Sequence, residues 1–165
     1  MQNRRQLKQS IRRWLLFFIV ALILSGVTAF ALETELAWLN RVLPEDGIGL
    51  HTWITKVYLA LKATNEKYPF MAYGYDWLAF AHLVIAVAFI GPYADPVKNV
   101  WIIQFGMIAC VMIFPLAFAA GYIRGIPFYW QLIDCSFGVG GFICLFVCFR
   151  KIKMLAAMPS VPPTK

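Results

Sequence analysis

Residues 75–93, YDWLAFAHLVIAVAFIGPY, form an apolar run with an acid at its mouth, Asp76, and an imidazole inside it, His82. An ionisable side chain in a membrane span costs about 2.5 to 3.5 kcal/mol on insertion scales unless it meets a partner or water. The run reads as a bilayer-crossing helix, and His82 as a residue in need of a partner.

Working outward, the chain of 165 residues is 61% hydrophobic and 14% charged, far more apolar surface than one soluble core of this size can hide. Four spans are predicted, at 14–32, 77–93, 100–123 and 132–149. At 1.5 Å per residue they reach about 25 to 36 Å, matching a hydrocarbon core of about 30 Å. The expected fold is all-α: a polytopic bundle of four transmembrane helices.

Charge sets the orientation. Ten cations (Arg4, Arg5, Lys8, Arg12, Arg13, Lys98, Arg150, Lys151, Lys153, Lys165) share one side with a single acid, Asp95. The other side holds five cations (Arg41, Lys56, Lys62, Lys67, Arg124) against six acids (Glu33, Glu35, Glu45, Asp46, Glu66, Asp76). The positive-inside rule puts both termini in the cytoplasm, in a plasma or inner membrane. The net charge of +7 is thus a topology signal, and no nucleic-acid partner is expected. The basic start, the apolar run and Ala29-Phe30-Ala31 also resemble a cleavable signal peptide. The run is long for a signal, so we read a retained anchor; cleavage after Ala31 would leave three spans with the same orientation.

The connecting pieces follow from turn chemistry. Residues 1–13 are a basic leader, expected to be disordered or to lie at an anionic lipid surface. Residues 33–76 form an extracytoplasmic cap: the first helix continues to Leu43-Pro44, and Glu45-Asp46-Gly47 turns. An amphipathic helix over 50–64 then carries Leu50, Trp53, Ile54, Val57, Tyr58 and Leu61 on one face, with His51, Thr55, Lys56 and Lys62 pointing elsewhere. Residues 94–99 are a stiff cytoplasmic turn after Gly91-Pro92, 124–131 an outer turn, and 150–165 a tail that is disordered from Ala156 on.

Small residues mark the helix faces. Ser25, Gly26, Thr28 and Ala29 give the first span a close-packing face, and Ala117-x-x-x-Gly121 gives the third another. On the fourth, Ser136, Gly140, Cys144 and Cys148 recur every four residues beside Asp134, Gly138 and Gly141. These faces suit tight internal packing or a partner helix, a second copy of the chain included. Cys110, Cys135, Cys144 and Cys148 form no C-x-x-C and read as inert packing.

Polar residues inside the spans are the candidates for chemistry. If Trp77 and Trp130 mark the outer interface, His82 and Asp134 lie roughly 7.5 and 6 Å below it, at a common level. Tyr75, seven residues before His82, shares its face; Asp76, six before, does not. A polar cluster of His82, Asp134 and Tyr75 is expected in the outer leaflet, with Asp76 and Arg124 at its rim. It would serve as an interhelical clamp, as a proton or ligand pathway, or as a metal or haem site using His51, His82 and Asp134. The outline is similar to that of the prolipoprotein signal peptidases and of quinone-coupled disulfide formers. The asparagine-rich motifs of the first and the paired outer-loop cysteines of the second are absent, so no site is carried over. The expected function is a binding or accessory membrane protein of unassigned ligand, with a metal- or haem-dependent enzyme or electron carrier, or a proton-coupled transport component, as alternatives.

Overall fold

The computed structural model describes residues 3–44 and 49–159. It is 89% helix, with no strand among the described residues. The elements are α1 (Arg4–Phe30), α2 (Leu32–Val42), α3 (Leu50–Lys67), a short 3-10 turn (Pro69–Met71), α4 (Ala72–Ala88), α5 (Ile90–Ala94), α6 (Val100–Arg124) and α7 (Phe128–Ala157). Four stretches are long and apolar enough to cross a bilayer: α1, the run Pro69–Ala94, α6 and α7. Their large side chains face outward without a protein partner; Phe17 is 64%, Leu116 67% and Phe137 71% exposed. A soluble core would bury such residues, whereas lipid solvates them. The turn expected at Glu45-Asp46-Gly47 and the last residues, 160–165, lie outside the described residues.

The chain divides into two units, residues 1–20 with 87–165, and residues 21–86. In the first, the basic leader is helical from Arg4, not disordered, because it carries an apolar stripe. Leu7, Ile11 and Leu15 are fully buried, as are Leu145, Cys148 and Leu155 on α7, with Ile152 at 2%. Spacings of four residues on α1 and of three and four on α7 are those of interlocking helix seams. The pair is antiparallel: Cys144 Sγ donates to Trp14 O (3.4 Å), Cys148 Sγ lies 4.0 Å from Ile11 O, Lys151 Nζ donates to Ser10 Oγ, and Arg4 Nη1 donates to Met158 O (3.1 Å). α7 therefore runs eight residues past the expected end of its span, through Ala156 and Ala157. Arg12 fastens α5 to this end, its Nε donating to Tyr93 O (3.2 Å) and its guanidinium 5.5 Å from the Tyr93 ring centre. The turn before α6 is held by Asn99, whose Nδ2 donates to Gly91 O (3.1 Å) and Asp95 O (2.9 Å).

α6 and α7 touch backbone to backbone. A Cβ added at Gly138 would lie 2.9 Å from Cys110 O, and one at Gly141 would lie 2.9 Å from Cys110 Sγ. At Gly106 it would meet Leu145 Cδ1 at 2.6 Å and Phe89 Cζ at 2.7 Å. Of the two small strips on α7, the packed one is Gly138-Gly141 together with the buried Cys144 and Cys148. Ser136 and Gly140 are exposed, and nothing stands within 4 Å of a Cβ added at Gly140.

In the second unit, α1 beyond residue 20 crosses α4 at Gly26. A Cβ there would lie 2.8 Å from Ala79 O and 3.2 Å from His82 Cβ, so of the small face read in the sequence Gly26 is packed, while Ser25 and Thr28 are exposed. α1 stops at Ala31, and α2 is a separate helix ending where Pro44 forces Leu43 to extended backbone (ψ 126°). α2 and α3 form an antiparallel hairpin around the buried Leu36 and Ile54. His51 and Thr55 do not point elsewhere: His51 Nε2 donates to Asn40 O (3.2 Å) and Thr55 Oγ1 donates to Asn40 Oδ1, so α3 turns a wider face to α2 than its apolar residues alone define.

Candidate functional site

The sharpest polar feature is built by the turn between α6 and α7. Gly125 takes φ 65°, a left-handed conformation that glycine adopts without strain. That lets Ile126 N donate to Gly121 O (2.9 Å) and Gly125 N to Tyr122 O (3.3 Å), the two bonds of a Schellman ending. Pro127 then opens α7 with its fixed φ, and the chain reverses within three residues. Gln131, 7% exposed, folds back under the turn: its Nε2 donates to Ile126 O (2.8 Å), and its Cδ would sit 2.4 Å from a Cβ at Gly121. Only glycine at 121 leaves room for that amide.

One turn further along α7, Asp134 looks into a cavity of about 280 Å³ with Arg124 and Gln131 on its polar side and Ile113, Leu116 and Ile126 among its apolar walls. Arg124 and Asp134 take part in no ion pair among the described residues, where the pairs are the exposed Lys62–Glu66 and Lys98–Asp95. The cavity thus has a guanidinium, a carboxylate and an amide among the side chains of an otherwise apolar lining. It supplies donors and an acceptor for a polar head and dispersion contacts for a hydrocarbon body.

The other expected site residues are in the second unit. Tyr75 does not stand beside a histidine there. Its hydroxyl donates to Asn65 Oδ1 (3.2 Å), and Asn65 Nδ2 donates to Glu33 Oε2 (2.8 Å), a relay joining α4, α3 and α2. Glu33 is accordingly an engaged acceptor. Asp76 lines a separate recess with Phe30, Tyr73, Trp77 and Phe80. His82 Nδ1 donates to Leu78 O one turn back on its own helix (2.8 Å).

His82 belongs to the second unit and Asp134 to the first. Among the described residues no group of three or more His, Cys, Asp or Glu side chains is placed to hold a metal ion; of the three residues expected for one, His51 and His82 lie in the second unit and Asp134 in the first.

Gln131, Asn65 and the aromatic walls around Asp76 were not singled out by the sequence. Signals for them existed. Gln131 is an amide one turn into an apolar helix opposite a glycine, and Tyr73, Asp76, Trp77 and Phe80 fall on one helical face. Asn65 had none, since the end of an exposed helix is an ordinary place for asparagine. Compared with protein-family models, with curated proteins and with solved structures, the chain matches none.

Proposed function

We propose that this is a small multi-pass protein of the plasma or inner membrane, with both termini cytoplasmic and α2 and α3 as its extracytoplasmic cap. In this reading it acts by binding rather than catalysis, holding an amphiphile of the lipid class in the α6–α7 cavity. The polar head meets Arg124, Asp134 and Gln131, and the chain runs along Ile113 and Leu116. The orientation rests on the positive-inside rule, supported by the packing of basic residues 4–13 against 144–159 at one end of the first unit. The observation that carries the binding reading is the unpaired Arg124 and Asp134 beside an apolar cavity. Unpaired charges next to hydrocarbon are costly, and a zwitterionic head satisfies both.

Native mass spectrometry of the chain released from nanodiscs of phosphatidylethanolamine and phosphatidylglycerol tests this. The wild type is expected to retain lipid, and Arg124→Gln or Asp134→Asn to retain roughly tenfold less, the weight of one charge-assisted hydrogen bond. If both variants keep lipid like the wild type and lose only thermal stability, the two residues serve the packing of α6 and α7 and the binding reading fails.

A further inference from the structure

The recess around Asp76 is independent of the α6–α7 cavity and has a different chemistry. It measures about 330 Å³, at the small end of the range of ligand pockets, roughly 300 to 1,000 Å³. Tyr73, Trp77 and Phe80 come from one face of α4, and Phe30, at the end of α1, completes the lining of this open recess. The α4 rings do not stack: Tyr73 and Trp77 meet at 86° and Trp77 and Phe80 at 88°, with centres 5.9 Å apart in each pair. Beside them in the lining Asp76, half-buried, takes part in no hydrogen bond or ion pair among the described residues.

An aromatic wall offers a cation its negative face and asks for no hydrogen bond in return. A carboxylate adds a full negative charge. A primary ammonium would need acceptors for three N–H groups, whereas a methylated one needs only the rings and the charge. Four aromatic walls and one unpaired acid match the second.

We propose that this recess binds a quaternary ammonium group. The same group is carried by a choline lipid head in the leaflet and by small quaternary amines in solution.

Isothermal titration of the purified full chain in dodecyl maltoside, which carries no cation, tests it with tetramethylammonium chloride against sodium chloride at equal ionic strength. Saturable heat is expected with tetramethylammonium alone, with affinity lowered at least roughly tenfold in Asp76→Asn and to a lesser degree in Phe80→Leu, which keeps the charge and removes one wall. Titration in nanodiscs identifies the source. Suppressed tetramethylammonium binding in choline-lipid discs but not in glycerol-lipid discs means a lipid head fills the recess, and equal binding in both means a soluble amine does. The proposal is overturned by absence of saturable binding to the wild type in micelles, or by wild-type affinity in Asp76→Asn with an unchanged melting curve. If Asp76→Asn does not fold, Phe80→Leu and Tyr73→Leu decide: unchanged affinity in both overturns it.

Discussion

Gly138→Ala is expected to destabilise the α6–α7 pair by about 1 to 3 kcal/mol, the usual cost of overpacking. The same substitution at Gly140, two residues on, is expected to stay within about 0.5 kcal/mol of the wild type or to gain from helix propensity. The contrast follows from what each new methyl group meets: the backbone oxygen of Cys110 at 2.9 Å in the first case, and nothing within 4 Å in the second. A flexible side chain could move aside, but a main-chain carbonyl in mid-helix cannot without moving α6. In a bilayer the loss is not recovered by a hydrophobic drive, since lipid tails are as apolar as the side chains they replace, and close packing is what holds the helices together. Melting of both variants in one detergent measures it. Equal melting temperatures would mean that α6 and α7 do not approach at Gly138.

Ile152→Asp has the largest expected effect, on the order of 3 to 5 kcal/mol. Ile152 is 2% exposed and lies on the α7 stripe that packs against Leu7, Ile11 and Leu15. A carboxylate there loses the apolar contact and buries a charge without a partner. Lys153→Gln, one residue on and exposed, serves as the control and is expected to change stability by no more than about 0.5 kcal/mol. Circular dichroism melts with protease protection of residues 1–20 read both. Equal behaviour of the two variants would mean that α1 and α7 are not paired beyond the spans.

The spans and their number were legible because hydropathy over some twenty residues is a strong signal and each window has few charges. The α1–α7 seam was legible in principle and was hidden by composition: Arg4, Arg5, Lys8, Arg12 and Arg13 dominate the leader, while Leu7, Ile11 and Leu15 between them carry the fold. Hydropathy averages over a window and cannot see a stripe, whereas periodicity can. The expectation of His82 beside Asp134 rests on depth alone, which fixes a residue's level along its helix and not its bearing around it, and the two residues lie in separate units. An imidazole also has a partner that level arguments overlook, the carbonyl of Leu78 one turn back. Asp134 and Arg124 are brought together because a tight turn at Gly125 sets α6 and α7 side by side. Tyr75 was placed on the correct helix, but its partner comes from α3, which a face analysis of α4 alone could not supply.

Four crossings with both ends on one side are the foundation of the whole account, and thiol labelling in cells tests them directly. The native cysteines, Cys110, Cys135, Cys144 and Cys148, are buried, so a membrane-impermeant maleimide reads introduced cysteines against a low background. Phe128→Cys, 64% exposed at the start of α7, is expected to label in intact cells, and Arg5→Cys and Lys153→Cys only after permeabilisation. Labelling of Arg5→Cys and Lys153→Cys from opposite sides, or of Phe128→Cys from the same side as Lys153→Cys, would contradict it.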